Sequence, residues 1–158
     1  MTNSPPLRPP LSDDVQRGLA VALFSETWAL IDLPERTPEQ DRRMLVTACA
    51  AALHWDAVGT DENRAISDWQ VAHAASLLGY GQLALAHATA AYERAGKAGA
   101  PAWLRASALE GLARAHAAAG HRAERDGYVR RAAAALDIIE EPGERELIAS
   151  QLATVPAL

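Results

Sequence analysis

AISDWQVAHAASLLGYGQLALAHATAAYERA, residues 65–95, and ASALEGLARAHAAAGHRAERDGYVRRAAAAL, residues 106–136, are one helix–glycine–helix unit written twice. Set on each other at Gly79 and Gly120, 120 − 79 = 41 positions apart, they also coincide at Arg64 and Arg105, Ala72 and Ala113, Ala74 and Ala115, and Ala91 and Ala132. One such pair cannot bury its apolar face alone, so a recurring unit of this size predicts stacked helix pairs.

The composition agrees. The chain has 158 residues, enough for one domain with a core of its own. Apolar residues make up 49% and charged residues 22%, ordinary values for a globular protein. Alanine, the best helix former, supplies about a quarter of the chain. No segment alternates apolar and polar with period two, so the predicted class is all-α. A net charge of −5 argues against a nucleic-acid partner, because neutralising phosphates needs a basic surface. Arg122, Arg125, Arg130 and Arg131 cluster, but Glu124 and Asp126 interleave with them, as on a solvated helix face. No apolar run is long enough to cross a membrane. The N-terminus carries prolines where a signal peptide needs an apolar core, so a cytoplasmic location is expected. Cys49 is the single cysteine, which rules out an internal disulfide, and its apolar surroundings suggest a small buried hydrophobe.

Along the chain, residues 1–11 are too proline-rich to pack and read as a tail; Pro6-Leu7-Arg8-Pro9 fits the minimal PxxP pattern. Residues 12–158 read as a single helical domain. Ser12 is the first N-cap, with Asp13 and Asp14 placed well against the dipole. Val15, Leu19, Ala22, Leu23, Ala29 and Leu30 form its predicted inner stripe, and Pro34 ends that helix. Thr37-Pro38-Glu39-Gln40 is a capping box with proline at the first helical position. The second helix runs to about Asp56 with Leu45, Cys49, Ala52 and Leu53 inward. Val58-Gly59-Thr60 breaks it. A third helix is expected over 61–78 and a fourth over 82–97. Pro101 opens a fifth, which Gly120 closes. A sixth covers 122–139 with Val129, Ala132, Leu136 and Ile139 on one stripe. After Glu141-Pro142-Gly143, a short helix over 144–153 caps the stack through Leu147, Ile148 and Leu152. The best repeat units are thus 61–98 and 101–139.

Both units resemble the tetratricopeptide repeat. Gly79 matches that family's turn glycine, and Ala84 and Ala91 its small residues on the second helix. Gly120 and Ala132 match in the other unit, where Arg125 replaces the first small residue. His116 stands where the first helix usually carries a tyrosine. Asp68 and Leu109 stand at the consensus tryptophan, and the period is 41 residues against the family's 34. The likeness covers about residues 61–139. The segment HWDAVGTDENRAISDWQ, with LGYG and HA after it, also looks like a group of small bacterial tetratricopeptide-like proteins with no assigned activity. What the resemblance implies is a right-handed superhelix of antiparallel hairpins, with the first helix of each pair lining a concave groove.

Transferred through the glycine register, the groove positions are Ile66, Trp69, His73 and Ser76, then Ser107, Glu110, Arg114 and Ala117. Glu110 and Arg114, spaced i, i+4, are either a surface pair or a clamp in which Arg114 takes a carboxylate. Trp28, Trp55 and Trp103 are expected to pack core or junctions, whereas Trp69 belongs in the groove. Arg64 and Asn63, in the first turn of the third helix, form an acid-binding corner with His54 and Trp55; alternatively Arg64 ties the junction to Asp56 or Asp61. The histidines, at 54, 73, 87, 116 and 121, show no metal-ligand spacing. His73 and His87 could still face each other across a turn, and His116 reads as an interior histidine. No phosphate loop or nucleophile–histidine–acid spacing is present.

The functional expectation is a non-catalytic module, without cofactor or metal, that holds a protein or peptide in its groove, with self-association into a dimer as a further possibility. The alternative is a small-molecule sensor or enzyme for an acidic ligand near Trp55, Arg64, Trp69 and His73.

Overall fold

The computed structural model describes residues 11–97 and 99–158; the Pro6–Pro9 motif lies outside them. Among these residues there are seven α-helices and no strand: α1 (Asp13–Ile31), α2 (Pro38–Val58), α3 (Asp61–Leu77), α4 (Gly81–Ala95), α5 (Ala102–Ala118), α6 (Arg122–Leu136) and α7 (Pro142–Ala153). They pack as sequential antiparallel pairs, α1 with α2, α3 with α4 and α5 with α6. Stacking joins α2 to α3, α4 to α5 and α3 to α5, and α7 closes on α5 and α6. None of the described helices is long and apolar enough to cross a membrane.

The start signals act as the sequence predicts. Ser12 Oγ accepts from the Val15 N–H, and Thr37 with Gln40 forms a complete capping box. Thr60 and Asn63 form a second such box at the start of α3. The two hinge glycines make the same motif. Gly79 and Gly120 have φ of +75° and +77°, the left-handed region that other residues enter at a cost. Tyr80 N–H then donates to Ala75 C=O and His121 N–H to His116 C=O, so both helices end in a Schellman turn.

The interior is built on α3 and α5. All but one of residues 65–75 are buried, as are residues 104–115 except Arg105, so both helices are enclosed nearly all round. Ala72, Ala75, Ala84, Ala88 and Ala115, with Leu112, make the contact between the two repeated hairpins. Alanine at these places lets helices approach closely, and the larger side chains lie between layers.

In α1 and α2 the inward face differs from the predicted one. Val15, Leu19, Ala22 and Ala29 are exposed, and Ala20 and Thr27 are buried instead. In α2, Cys49 and Leu53 are exposed, while Met44, Thr47, Ala48, Ala51 and Trp55 join Ala52 inside. The cause is a polar seam. Thr27 Oγ1 and Thr47 Oγ1 lie 2.9 Å apart, within hydrogen-bond reach of each other and of carbonyls of their own helices. The buried threonines hide the true stripe from a reading that counts only apolar residues. Cys49 is therefore no core residue, although partial desolvation still raises its thiol pKa. At the other end of the chain, Val129, Ala132, Leu136 and Ile139 face inward to varying depth, and Ile148 is buried, but Leu147 is 58% exposed.

Candidate functional site

The groove positions lie on the inner side of α3 and α5, and two other helices lie against that side. From α1, Trp28 packs on Trp69 (ring centroids 5.5 Å apart) and on His73 (5.8 Å). From α7 and the residues after it, Gln151 C=O and Thr154 Oγ1 accept from the Arg114 guanidinium at 2.9 and 2.7 Å. The inner face is thus largely covered by the chain's own ends.

What lies beneath is a polar chain in an apolar setting. Trp69 Nε1–H donates to Glu110 Oε2 at 2.8 Å, and Arg114 Nε–H donates to Glu110 Oε1 at 2.7 Å. Trp69 and Glu110 are themselves 41 positions apart, equivalent places in the two repeats. Parallel stacking of α3 on α5 sets such residues side by side. Glu110 is fully buried and Arg114 nearly so, which overturns the surface-pair reading. Glu110, Gln151 and Thr154 take the Nε and Nη2 donors of Arg114, which otherwise meets only a small recess that it lines with Ser76 and Ala117. A carboxylate in this interior is tolerable because both of its oxygens are satisfied. His73 sits edge-on to Trp69, 5.3 Å between centroids, and its Nδ1 has no hydrogen-bond partner. Burial, with Arg114 and Arg36 adding positive potential, pulls its pKa down to about 3, so it is neutral at pH 7.

Between α1, α3, α5 and α7 a cavity of about 230 Å³ remains. Its aromatic walls are Phe24, Trp28, Trp69 and Trp103; Ile66, Leu147 and Ile148 complete the apolar lining. Ser107, Gln151 and Glu144 are its polar side chains, and no cationic side chain lines it. Trp28 and Trp69, inclined at 38°, form two adjoining walls. Gly111 fixes one of them: a Cβ there would come within 2.7 Å of Trp69 Cδ1. A smaller hollow next to the cavity shares Phe24 and Ile66 and adds Val21, Ser25, Trp55 and Asn63.

The structure therefore brings Ile66, Trp69 and Ser107 to one cavity and leaves His73, Glu110 and Arg114 behind its wall. Ser76 is half-buried, with its hydroxyl donating to Ala72 C=O, and lines a separate small recess with Arg114 and Ala117. Arg64 spans the α2–α3 junction, donating to Asp56 C=O at 3.2 Å with Asp61 3.8 Å away, the tying role. Trp55, Arg64, Trp69 and His73 do not converge on one pocket. Trp28 and Trp103, expected to be plain packing residues, present their rings to the cavity. Their part was invisible in sequence because Trp28 comes from α1, outside the repeats, and Trp103 stands in the first turn of α5, where the other unit carries Glu62.

The histidines are dispersed. His87 Nδ1–H donates to Asp68 at 2.8 Å, and the Arg94 guanidinium takes that carboxylate's other oxygen, so His87 does not pair with His73. His116 is half-buried, stacked on Tyr128 and hydrogen-bonded to His121 at 3.2 Å, at the α5–α6 turn and not in the interior. Among the described residues no group of three histidine, cysteine or acidic side chains could hold a metal ion. No family model matches the chain, and no curated protein or solved structure is detectably similar to it.

Proposed function

We propose that this chain is a non-catalytic, tetratricopeptide-like binding module that takes one apolar side chain of a protein or peptide partner into the Trp28–Trp69–Trp103 cavity. The cavity itself carries the reading. A cavity of about 150 Å³ accepts a benzene ring, so this one has room for a single side chain and not for a folded segment. The adjoining hollow continues the contact surface along α1 and α3, which suits an extended partner. Leu147 and Val21, 58% and 52% exposed, border this path and offer further apolar contact. The tetratricopeptide likeness is supported by Ala84, Ala91 and Ala132, all buried where the family places small residues. The single free thiol accords with a reducing compartment, and we place the protein in the cytoplasm.

The test is a panel of immobilised hexapeptides, each with one apolar or alkylated residue in a polar background. Retention of a subset by the wild type is expected, with at least tenfold weaker retention of Ile66→Arg, which puts a long charged side chain at the cavity mouth. The far-ultraviolet circular dichroism of the variant should be unchanged. No retention of any peptide, or equal retention by the variant, would refute the reading.

A further inference from the structure

From the walls of the cavity we infer the chemistry of its occupant: a quaternary ammonium group, carried on a peptide as a trimethylated lysine. This rests on the binding-module reading and narrows it. Three indoles and a phenyl ring line a space large enough for one compact group. Aromatic faces carry negative potential, and a cation held against several of them is attracted by each.

The charges point the same way. Glu144 is the single ionisable side chain in the lining. Among the described residues no salt bridge engages it. Glu110 and Arg114 behind the wall offset each other, and His73 is uncharged at neutral pH. The one charged side chain of the lining is thus a carboxylate, which favours a cation over an anion there.

Among cations the lining selects further. An ammonium brings three N–H donors and a guanidinium five, each needing an acceptor once water is removed. Beyond Glu144, the side chains here offer only Ser107 and Gln151. A trimethylammonium group carries the charge with no N–H at all, so nothing is left unsatisfied by apolar walls. Such a group is also the most weakly hydrated of the three, which lowers the cost of entry.

The experiment titrates the tryptophan emission with three forms of one hexapeptide: trimethyl-lysine, unmodified lysine, and the neutral analogue with carbon in place of the quaternary nitrogen. The trimethyl-lysine peptide should bind at least tenfold tighter than either of the others. Glu144→Gln should cut that preference several-fold. Equal binding of the trimethyl and neutral forms would overturn the cation assignment and leave the apolar cavity standing. Binding of neither would remove both. Equal binding of the lysine form would overturn the quaternary assignment. Choline matching the trimethyl-lysine peptide in affinity would overturn its peptide-borne form.

Discussion

His73 is a neutral imidazole enclosed by Trp28 and Trp69, and its proton equilibrium links the inner face to pH. Its pKa of about 3 in the folded chain lies below the 6.5 of an exposed histidine. Above pH 6.5 neither state binds the proton and the residue leaves stability unchanged. Between 6.5 and about 3 the unfolded chain is protonated there and the folded chain is not, so stability falls as the pH drops. The slope reaches about 1.4 kcal/mol per pH unit for this one site. Urea unfolding of the wild type between pH 7 and 4.5 should show that loss, and His73→Phe, which keeps a ring against both indoles, should flatten it by about one proton. A parallel pH profile in the variant would mean that His73 reaches water. None of this was readable from residue 73 alone. Its helical spacing from Trp69 put both rings on one face, but which face α1 would cover depends on contacts more than forty positions away.

At the scale of helices and turns, one substitution should have opposite signs at two glycines. Gly111, inside α5, has Trp69 against it, so the methyl group of Gly111→Ala must displace an indole wedged between Trp28 and Glu110. Overpacking of this kind costs about 1–3 kcal/mol. Gly127, inside α6, has nothing within 4 Å of the added Cβ. There alanine restores helix propensity and should stabilise by about 0.5–1 kcal/mol. Thermal unfolding of the two variants checks both signs, and a shift in tryptophan emission should accompany Gly111→Ala alone. Elements were the most legible level of this chain, because their ends are written locally. Ser12, Thr37 and Pro101 stand at helix starts, and Gly79 and Gly120 hold the left-handed turns the 41-residue register required. The faces of α1 and α2 were less legible, since Thr27 and Thr47 occupy core positions that polarity alone assigns to solvent. Cys49 and Leu53 show the converse error.

Across the whole molecule, the site depends on the two ends of the chain closing over the repeats. Trp28 comes from α1 and Ile148 from α7, so the cavity joins residues more than a hundred positions apart and no local pattern announces it. The repeats supplied Ile66, Trp69, Trp103 and Ser107; the rest of the lining came from α1 and α7, which do not repeat. The part of α7 can be isolated. Deleting residues 141–158 takes Gln151 and Thr154 from Arg114, uncovers Ala113 and Ala117, and removes one wall of the cavity. Arg114 and Glu110 would become wet, which relieves their desolvation, so the loss of apolar burial should dominate. The truncated chain should keep the helical dichroism of α1–α6, melt several degrees lower, bind a hydrophobic dye strongly, and lose its affinity for any cavity ligand. If it melted with the full chain and bound no dye, α7 would be an appendage, and the partly covered site built on it would have to be abandoned in favour of an open groove.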